Sequence, residues 1–292
     1  MRLITLTTML ATAKRHHFAV GAFNAIDSHF VDAIFAAAQT NNSPIILNFA
    51  EVHARLVNIE DIAAYVRYKA SKTSLPVTLN LDHGLTIPMV ERALDSGFSS
   101  VMFDGSHLSY EENIRQTAEV VAMCHARHVC VEGELGAVGG DEGGALEGRA
   151  DVACYTDVSL AQEYVSMTGV DALAVAIGNS HGRYKGKPEL DFERLQALSS
   201  VVSTPLVLHG GSGLSDEDFR RAIQLGITKI NFFTGMSQAA LQTIENRLQS
   251  PELNHKYDHY LLLMKDVQQA ISETVTEQMR IFGSHNKAGC YE

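Results

Sequence analysis

Eight short apolar runs, each followed by a helical pattern, constrain the fold more than any other feature of this sequence. Near-continuous apolar strands separated by helices are typical of a parallel sheet with helices on both faces. Because eight is the number of strands in a closed parallel barrel, we predict an α/β fold, a (β/α)8 TIM barrel, rather than an open doubly wound sheet. The runs lie at 18–23, 44–49, 76–81, 99–103, 129–135, 171–177, 205–209 and 227–232.

The chain is predicted to form one domain over residues 1–292. No shift in composition marks a boundary, and barrels of this kind reach about 250 residues as a single domain. The helical pattern from Gly235 to Phe282, broken near Ser250–Pro251, exceeds what a barrel needs. These extra C-terminal helices fit either a subunit interface, as in a homodimer or homotetramer, or a cap over the barrel floor.

The composition disfavours several classes of partner and location. The formal charge is −11 at pH 7 and no clustered basic face is visible, which disfavours nucleic acid. No run of about 18 apolar residues occurs, and the first residues lack the pattern of a secretory signal. The four cysteines contain no Cys-x-x-Cys pair. We expect a cytoplasmic protein that acts on small molecules and binds neither membranes nor nucleic acid.

Three histidines share one position in the pattern. His83, His181 and His209 follow predicted strands three, six and seven, and each is followed by a glycine. In a parallel barrel the carboxyl ends of all strands lie on one face, which carries the active site. Three imidazoles with an open fourth position are a ligand set of catalytic zinc. The pattern therefore predicts a zinc site on that face.

Carboxylates lie close to these histidines in the sequence. Asp82 directly precedes His83, and it fits equally a partner that orients a ligand histidine and a group that moves a substrate proton. Glu132 and Glu134 are two residues apart on strand five and point to one face. Asp104, which ends strand four, could join Glu134 in a second metal position or hydrogen-bond the histidines. The alternative is buried ion pairs with lysines or arginines of the barrel.

Two tracts near the chain's last strands are typical of a phosphate site. Gly210-Gly211-Ser212 follows strand seven, and Asn231-Phe232-Phe233-Thr234 follows strand eight. In barrels these are the sectors where backbone N–H groups and a helix N-terminus commonly hold a phosphate. Asn24, at the end of strand one, fits either a polar contact to the ligand or a structural role.

Taken together, these segments resemble the class II, metal-dependent ketose-bisphosphate aldolases, the group of fructose- and tagatose-bisphosphate aldolases. The resemblance covers nearly the whole chain, and the motifs fall in family order. They are Leu-Asp-His at 81–83, Asp-Gly-Ser-His-Leu and Glu-Glu-Asn within 104–113, Val-Glu-Gly-Glu-Leu-Gly at 131–136, Ala-Ile-Gly-Asn-Ser-His-Gly at 176–182, Leu-His-Gly-Gly-Ser-Gly at 208–213 and Lys-Ile-Asn at 229–231.

The resemblance implies reversible cleavage of a ketose 1-phosphate or 1,6-bisphosphate into dihydroxyacetone phosphate and an aldehyde. It implies that the three histidines hold one Zn²⁺ ion, a Lewis acid for the carbanion that cleavage leaves. It assigns to Asp82 the proton of the hydroxyl that becomes the aldehyde. The dihydroxyacetone phosphate half is then held by Gly182, Gly210, Gly211, Ser212, Asn231, Phe232, Phe233 and Thr234.

Further roles follow from the same resemblance. Asp104 and Glu134 match the family's secondary metal position, and a monovalent cation such as Na⁺ or K⁺ is expected near the phosphate. The family also uses a glutamate on a mobile loop to protonate the carbanion. The irregular stretch from Gly136 to Asp157 contains Glu142 between pairs of glycines, which makes Glu142 the candidate on a lid.

The chain departs from the family around the far end of the substrate. Phe232 to Gly235 replace the usual small residues and an acid, and Ala50 stands where relatives often offer a hydroxyl. Arg55, Arg183 and His53 lie just beyond strand ends. We therefore expect a distal group that is anionic, though not necessarily a phosphate.

Two other classes of function remain open at this stage. One is metal-dependent hydrolysis on the same barrel, which often uses a bridging lysine or a further Asp ligand that the sequence does not offer. The other is a catalytically silent barrel subunit, which the intact Asp82 and the three histidines disfavour.

Overall fold

The computed structural model describes residues 3–140, 155–182, 186, 188–249 and 260–291. Eight parallel strands close into a barrel. They are β1 Val20–Asn24, β2 Ile45–Ala50, β3 Val77–Gly84, β4 Ser100–Phe103, β5 Cys130–Leu135, β7 Ala172–Val175, β9 Leu206–Leu208 and β10 Ile227–Phe232. Around the barrel their order is β1, β10, β9, β7, β5, β4, β3, β2. Each overlaps one of the eight apolar runs, and the predicted TIM barrel is confirmed.

Two further strands form a separate sheet outside the barrel. β6 Gly139–Gly140 pairs in parallel with β8 Ser180–His181, so that Gly140 lies opposite His181. The sequence contains no sign of this sheet, because a strand of two residues is too short to show a periodic pattern.

Helices surround the barrel in the expected alternation with its strands. They are α1 Leu6–Arg15, α2 Ser28–Asn41, α3 Ile59–Ala70, α4 Ile87–Asp95, α5 Tyr110–His125, α6 Val158–Thr168, α7 Phe192–Val201, α8 Asp216–Gln224, α9 Thr234–Gln249 and α10 Tyr260–Ile281. Polar side chains cap many of their N-termini; Asp27, for example, accepts the N–H of Phe30 at the start of α2. Within the described ranges, no helix has both the length and the apolar character that crossing a membrane requires.

The floor of the barrel is filled by α1. Leu6, Met9 and Leu10 of this helix are fully buried and form one apolar cluster with inward-facing barrel residues such as Ile46 and Val207. The long C-terminal helix α10 instead packs against α2 and α9. The opposite end of the barrel, where the strands have their carboxyl ends, is left for the functional groups.

Candidate active site at the carboxyl ends of the strands

A β-bulge in β3 brings two adjacent residues into the mouth of the barrel. The register with β4 shifts between Leu81 and Gly84, and His83 has a positive φ of 43°. In a regular strand Asp82 and His83 would point to opposite faces, whereas a bulge re-aims the chain locally. A Cβ on Gly84 would lie 2.7 Å from the carbonyl oxygen of Met102, so the bulge needs a glycine at this position.

The three histidines converge as the sequence predicts. The ring centroids of His83 and His181 are 4.8 Å apart, those of His83 and His209 are 4.7 Å apart, and those of His181 and His209 are 5.8 Å apart. One ligand nitrogen from each ring lies within 4.8 Å of the others. All three side chains are buried. The short β6–β8 sheet holds His181 in place from outside the barrel.

The outer nitrogens of two rings are bound by carboxylates. His83 Nδ1 lies 2.9 Å from Asp104 Oδ2, and His209 Nε2 lies 2.8 Å from Glu132 Oε1. Because ionised carboxylates only accept hydrogen bonds, these contacts assign the ring protons to the outer nitrogens. The inner nitrogens, His83 Nε2 and His209 Nδ1, then both carry lone pairs.

These two inner nitrogens lie 2.9 Å apart. Burial lowers the pKa of His209 well below 6.5, and neighbouring His83 and Lys229 act in the same direction, so the His209 ring is neutral. Neutral imidazoles whose other N–H groups are held by carboxylates are the usual form of zinc ligands. The donor set therefore fits a zinc ion.

Glu132 also forms an ion pair inside the barrel. Lys229 Nζ lies 2.7 Å from Glu132 Oε2, and both side chains are fully buried. Glu132 thus contacts both Lys229 and His209. For this glutamate, the structure shows the buried ion pair with a barrel lysine that the sequence left open as an alternative. Glu134 instead accepts the N–H of Val138 at 3.1 Å. Together with His83 and Asp104, Glu134 forms a second group of side chains able to hold a metal ion.

Asp82 is held by one oxygen only. Its Oδ1 accepts a hydrogen bond from Asn231 Nδ2 at 2.8 Å, while Oδ2 is buried and has no partner among the described residues. Asn231 Nδ2 also lies 3.1 Å from His209 Nδ1. The carboxylate that orients His83 is Asp104, so the arrangement favours the role of Asp82 as a proton-moving group. A substrate hydroxyl would satisfy its second oxygen.

The two phosphate tracts meet in one small cavity beside the histidines. Gly210 has a φ of 65°, and a Cβ there would collide with the backbone of Ser180. The Ser212 hydroxyl accepts the N–H of Gly235 at 3.1 Å, in the first turn of α9, so the helix N-terminus is directed to this cavity. The cavity is lined by Asn24, His181, Gly182, Gly210, Gly211, Ser212, Asn231, Phe232, Phe233 and Thr234.

The residues expected at the far end of the substrate are only partly described. Arg55 ends a 3-10 helix, Glu51–Arg55, that follows β2, and its side chain is exposed. His53 of the same helix packs its ring edge-on against Phe233, with centroids 5.2 Å apart. Arg183 and Glu142 lie outside the described residues.

Sequence reasoning identified Asn24 but missed the other buried polar groups beside it in the barrel. Asn24, Asn48 and Asn80 are in register on β1, β2 and β3, and Asn80 Nδ2 donates to Asn48 Oδ1 at 3.0 Å. Asn179 Nδ2 donates to the carbonyl oxygen of His209 at 3.0 Å and fixes that end of β9. Polar residues two apart within apolar strands, such as Asn80 and Asp82, were the available signal.

Comparison with known proteins agrees with this geometry. The fold and site define an eight-stranded parallel barrel with a buried three-histidine group at the carboxyl ends of its strands. The family profile described as "Fructose-bisphosphate aldolase class-II" matches residues 4–287. The chain belongs to the class II fructose-bisphosphate aldolase family, and the predicted enzyme class, a carbon–carbon lyase, is confirmed.

Relatives in this family carry different substrate names. The chain is 40% identical over 294 residues to "6-phospho-5-dehydro-2-deoxy-D-gluconate aldolase" of Shouchella clausii, covering 99% of this chain and 97% of the relative. It is 37% identical over 292 residues to a Staphylococcus epidermidis "Fructose-bisphosphate aldolase", covering 99% and 100%. The crystal structure of the YdjI aldolase from Escherichia coli K12 superposes with a TM-score of 0.86 at 35% identity, over 98% of this chain and 99% of that one.

Proposed function

We propose that this enzyme cleaves a ketose 1-phosphate or 1,6-bisphosphate, of the tagatose- or fructose-bisphosphate type, reversibly and with zinc. The products are dihydroxyacetone phosphate and an aldehyde. The observation that carries the proposal is the convergence of two histidine ring nitrogens, 2.9 Å apart, beside both the glycine-lined cavity and the Asp82 carboxylate. A donor group for a metal, a cradle for a phosphate and a proton-moving group are the three parts that this reaction needs.

Zinc fits the ligand set of His83, His181 and His209. When bound, it supplies Lewis-acid stabilisation of the negative charge that develops on the donor half during cleavage, an effect worth several kcal/mol. Asp104 and Glu132 hold the outer nitrogens of two of these rings and so keep their inner nitrogens directed at one point.

Asp82 moves the proton of the substrate hydroxyl. Its Oδ2 takes the proton from the hydroxyl on carbon 4, the bond between carbons 3 and 4 breaks, and the carbonyl of the aldehyde forms. The electron pair stays on carbon 3 of the donor half, which then takes up a proton to give dihydroxyacetone phosphate. We assign delivery of this proton to Glu142. Asn231 holds the other oxygen of Asp82, so Oδ2 keeps its orientation.

Backbone and small side chains bind the donor phosphate. Gly182, Gly210 to Ser212 and Asn231 to Thr234 line the cavity together with Asn24, and the N-terminus of α9 adds a positive partial charge. A monovalent cation, Na⁺ or K⁺, is proposed beside the phosphate. Asp104, Glu134 and His83 are proposed as a secondary metal position.

A distal carboxylate is the second candidate for the substrate. The Shouchella clausii relative, 40% identical, is named for a gluconate, a sugar acid. In this chain the bulky Phe233 lines the cavity, and Arg55 lies at the end of the 3-10 helix that follows β2. Arg183 is proposed to contribute to binding of the same distal anion. A sugar phosphate with either distal anion remains the proposed partner.

Self-association in the cytoplasm completes the proposal. Large apolar side chains are exposed on the two C-terminal helices, which supports a homodimer or homotetramer built through them. They are Leu241 and Leu248 of α9 and Tyr260, Leu261 and Leu262 of α10. Light scattering on the purified chain measures the assembly, and a monomer at micromolar concentration contradicts this part.

The test is a panel of ketose 1-phosphates with coupled detection of dihydroxyacetone phosphate. The zinc-loaded protein is expected to release dihydroxyacetone phosphate from at least one member of the panel, and the chelator-treated protein is expected to release none. If a zinc-loaded, folded protein cleaves no member, the aldolase proposal fails, and the silent subunit becomes the better account.

A further inference from the structure

A fourth histidine, His53, lies near Asp82 but does not belong to the three-histidine group. His53 lies in the 3-10 helix Glu51–Arg55, which follows β2 directly. Ala50, at the end of β2, pairs in register with Asp82 on β3. The Asp82 carboxylate also acts electrostatically on the His53 ring. In the proposed reaction Asp82 meets the hydroxyl that becomes the aldehyde, so His53 lies on the side of the acceptor half.

The segment that carries His53 is fixed to the neighbouring strand's loop. The Glu51 carboxylate accepts the N–H of Leu85 at 2.5 Å, the N–H of Thr86 at 3.2 Å and the Thr86 hydroxyl at 2.9 Å. The N–H groups of Leu56 and Val57 both donate to the His53 carbonyl oxygen at 2.9 Å. His53 is therefore held in a set position relative to the end of β3 before any substrate binds.

The ring of His53 forms an aromatic wall with Phe233. Their centroids lie 5.2 Å apart at an interplanar angle of 60°. Phe233 lines the cavity that also contains Gly210 and Asn24. The His53–Phe233 pair thus connects the loop after β2 with the loop after β10. It borders both the cavity proposed for the donor phosphate and the region near Asp82 proposed for the acceptor half of the substrate.

The two ring nitrogens of His53 have different surroundings. Nδ1 is closed off from solvent and has no hydrogen-bond partner in the described part of the chain, which leaves Nε2 as the end that a ligand can reach. Burial lowers the pKa of His53 below 6.5 and outweighs the opposite effect of Asp82, so the ring is neutral at pH 7. A buried N–H without an acceptor is costly, which assigns the single ring proton to Nε2.

We propose that His53 is a specificity-determining residue of this aldolase, donating a hydrogen bond from Nε2–H to an oxygen on the carbon next to the aldehyde carbon. Phe233 holds the ring at the angle that this contact needs. The inference rests on the proposed function and deepens it: the acceptor class is an α-hydroxy aldehyde rather than a plain alkyl aldehyde. A site built to donate to a substrate oxygen discriminates strongly against an analogue that lacks it.

The test measures selectivity in the direction of synthesis. Dihydroxyacetone phosphate is condensed with glyceraldehyde in one reaction and with propanal in the other. Propanal has the same three carbons as glyceraldehyde but no hydroxyl. The ratio of kcat/KM for glyceraldehyde to kcat/KM for propanal is then compared between variants. We expect the wild type to favour glyceraldehyde and His53→Ala to reduce the ratio by about tenfold, as for one lost hydrogen bond. His53→Gln, whose amide nitrogen reaches the position of Nε2, is expected to keep most of the ratio. His53→Asn, which mimics Nδ1, is expected to lose it.

Two controls separate the possible failures. Leu56→Ala changes an exposed neighbour of the same loop and is expected to leave the ratio unchanged. Exchange of the donor's C–H hydrogen with deuterated water, measured without aldehyde, reports the donor half alone and is expected to be intact in every His53 variant. If His53→Ala leaves the ratio of kcat/KM values unchanged and hydrogen exchange intact, the specificity role of His53 is wrong, but the proposed function stands. If His53→Ala loses hydrogen exchange, His53 has a structural role instead of a specificity role. Absence of both exchange and condensation in the zinc-loaded wild type overturns the proposed function itself.

Discussion

Replacing Lys229 with methionine isolates the buried ion pair behind the histidine group. Methionine has nearly the volume of lysine but no charge, so the variant removes the cation that lies 2.7 Å from Glu132 Oε2. Both side chains are 0% exposed, and solvent cannot screen the charge that remains on Glu132. Removing one partner of a buried pair costs about 3–5 kcal/mol. At about 2 °C per kcal/mol for a chain of this size, Tm falls by roughly 6–10 °C.

The double variant Lys229→Met with Glu132→Gln is the matched control. It removes both charges, and the glutamine Oε1 can still accept the N–H from His209 Nε2, which now lies 2.8 Å from Glu132 Oε1. We expect it to recover most of the lost stability. Calorimetry on chelator-treated protein is the assay, because a bound metal would add its own stabilisation. A fall in Tm of less than about 2 °C in the single variant, or a double variant as unstable as the single one, would contradict a stabilising role for the Lys229–Glu132 ion pair.

Three further predictions address other parts of the structure. Gly210→Ala places a Cβ against the Ser180 backbone at a φ of 65°, so it should destabilise the protein by more than about 1 kcal/mol and weaken phosphate binding. The control Gly289→Ala, which has open space around it, should do neither. Equal urea midpoints for the two variants contradict this prediction. Because the folded-state pKa of His53 lies below its unfolded value of 6.5, its contribution to stability is complete above pH 6.5 and is lost as the pH falls towards the lowered pKa. The wild type should therefore lose more stability than His53→Gln between pH 7.5 and 5.5 in urea titrations, and parallel losses contradict this. Asp82→Asn should lower kcat for cleavage by about 10²–10⁴ while zinc content stays at the wild-type value; a smaller loss shows that Asp82 does not move the proton.

The fold was open to prediction because its signals are local. Each barrel strand appears as a short apolar run between helical patterns, and β10, for example, extends over Ile227–Phe232 where the sequence predicts 227–232. The convergence of His83, His181 and His209 followed from a general property of parallel barrels, whose strand ends share one face. No long-range information was needed for either conclusion.

The remaining features depend on contacts between distant parts of the chain. The bulge that turns both Asp82 and His83 into the site is a matter of register between β3 and β4, and register has no local pattern. Lys229 meets Glu132 across 97 residues, and Asn231 meets Asp82 across 149. The sequence suggests that buried carboxylates need partners, but only the closed barrel selects which partners they have.

Hydrogen exchange at the donor carbon of dihydroxyacetone phosphate, followed by NMR in deuterated water, measures whether the barrel mouth activates the donor half of the substrate. It requires the metal-binding histidines and the phosphate cavity to act on the donor half, and it needs no knowledge of the natural aldehyde. We expect the zinc-loaded protein to exchange one hydrogen of dihydroxyacetone phosphate and a chelator to stop the exchange. A protein that binds zinc and dihydroxyacetone phosphate yet exchanges no hydrogen above the chelated control would contradict this expectation.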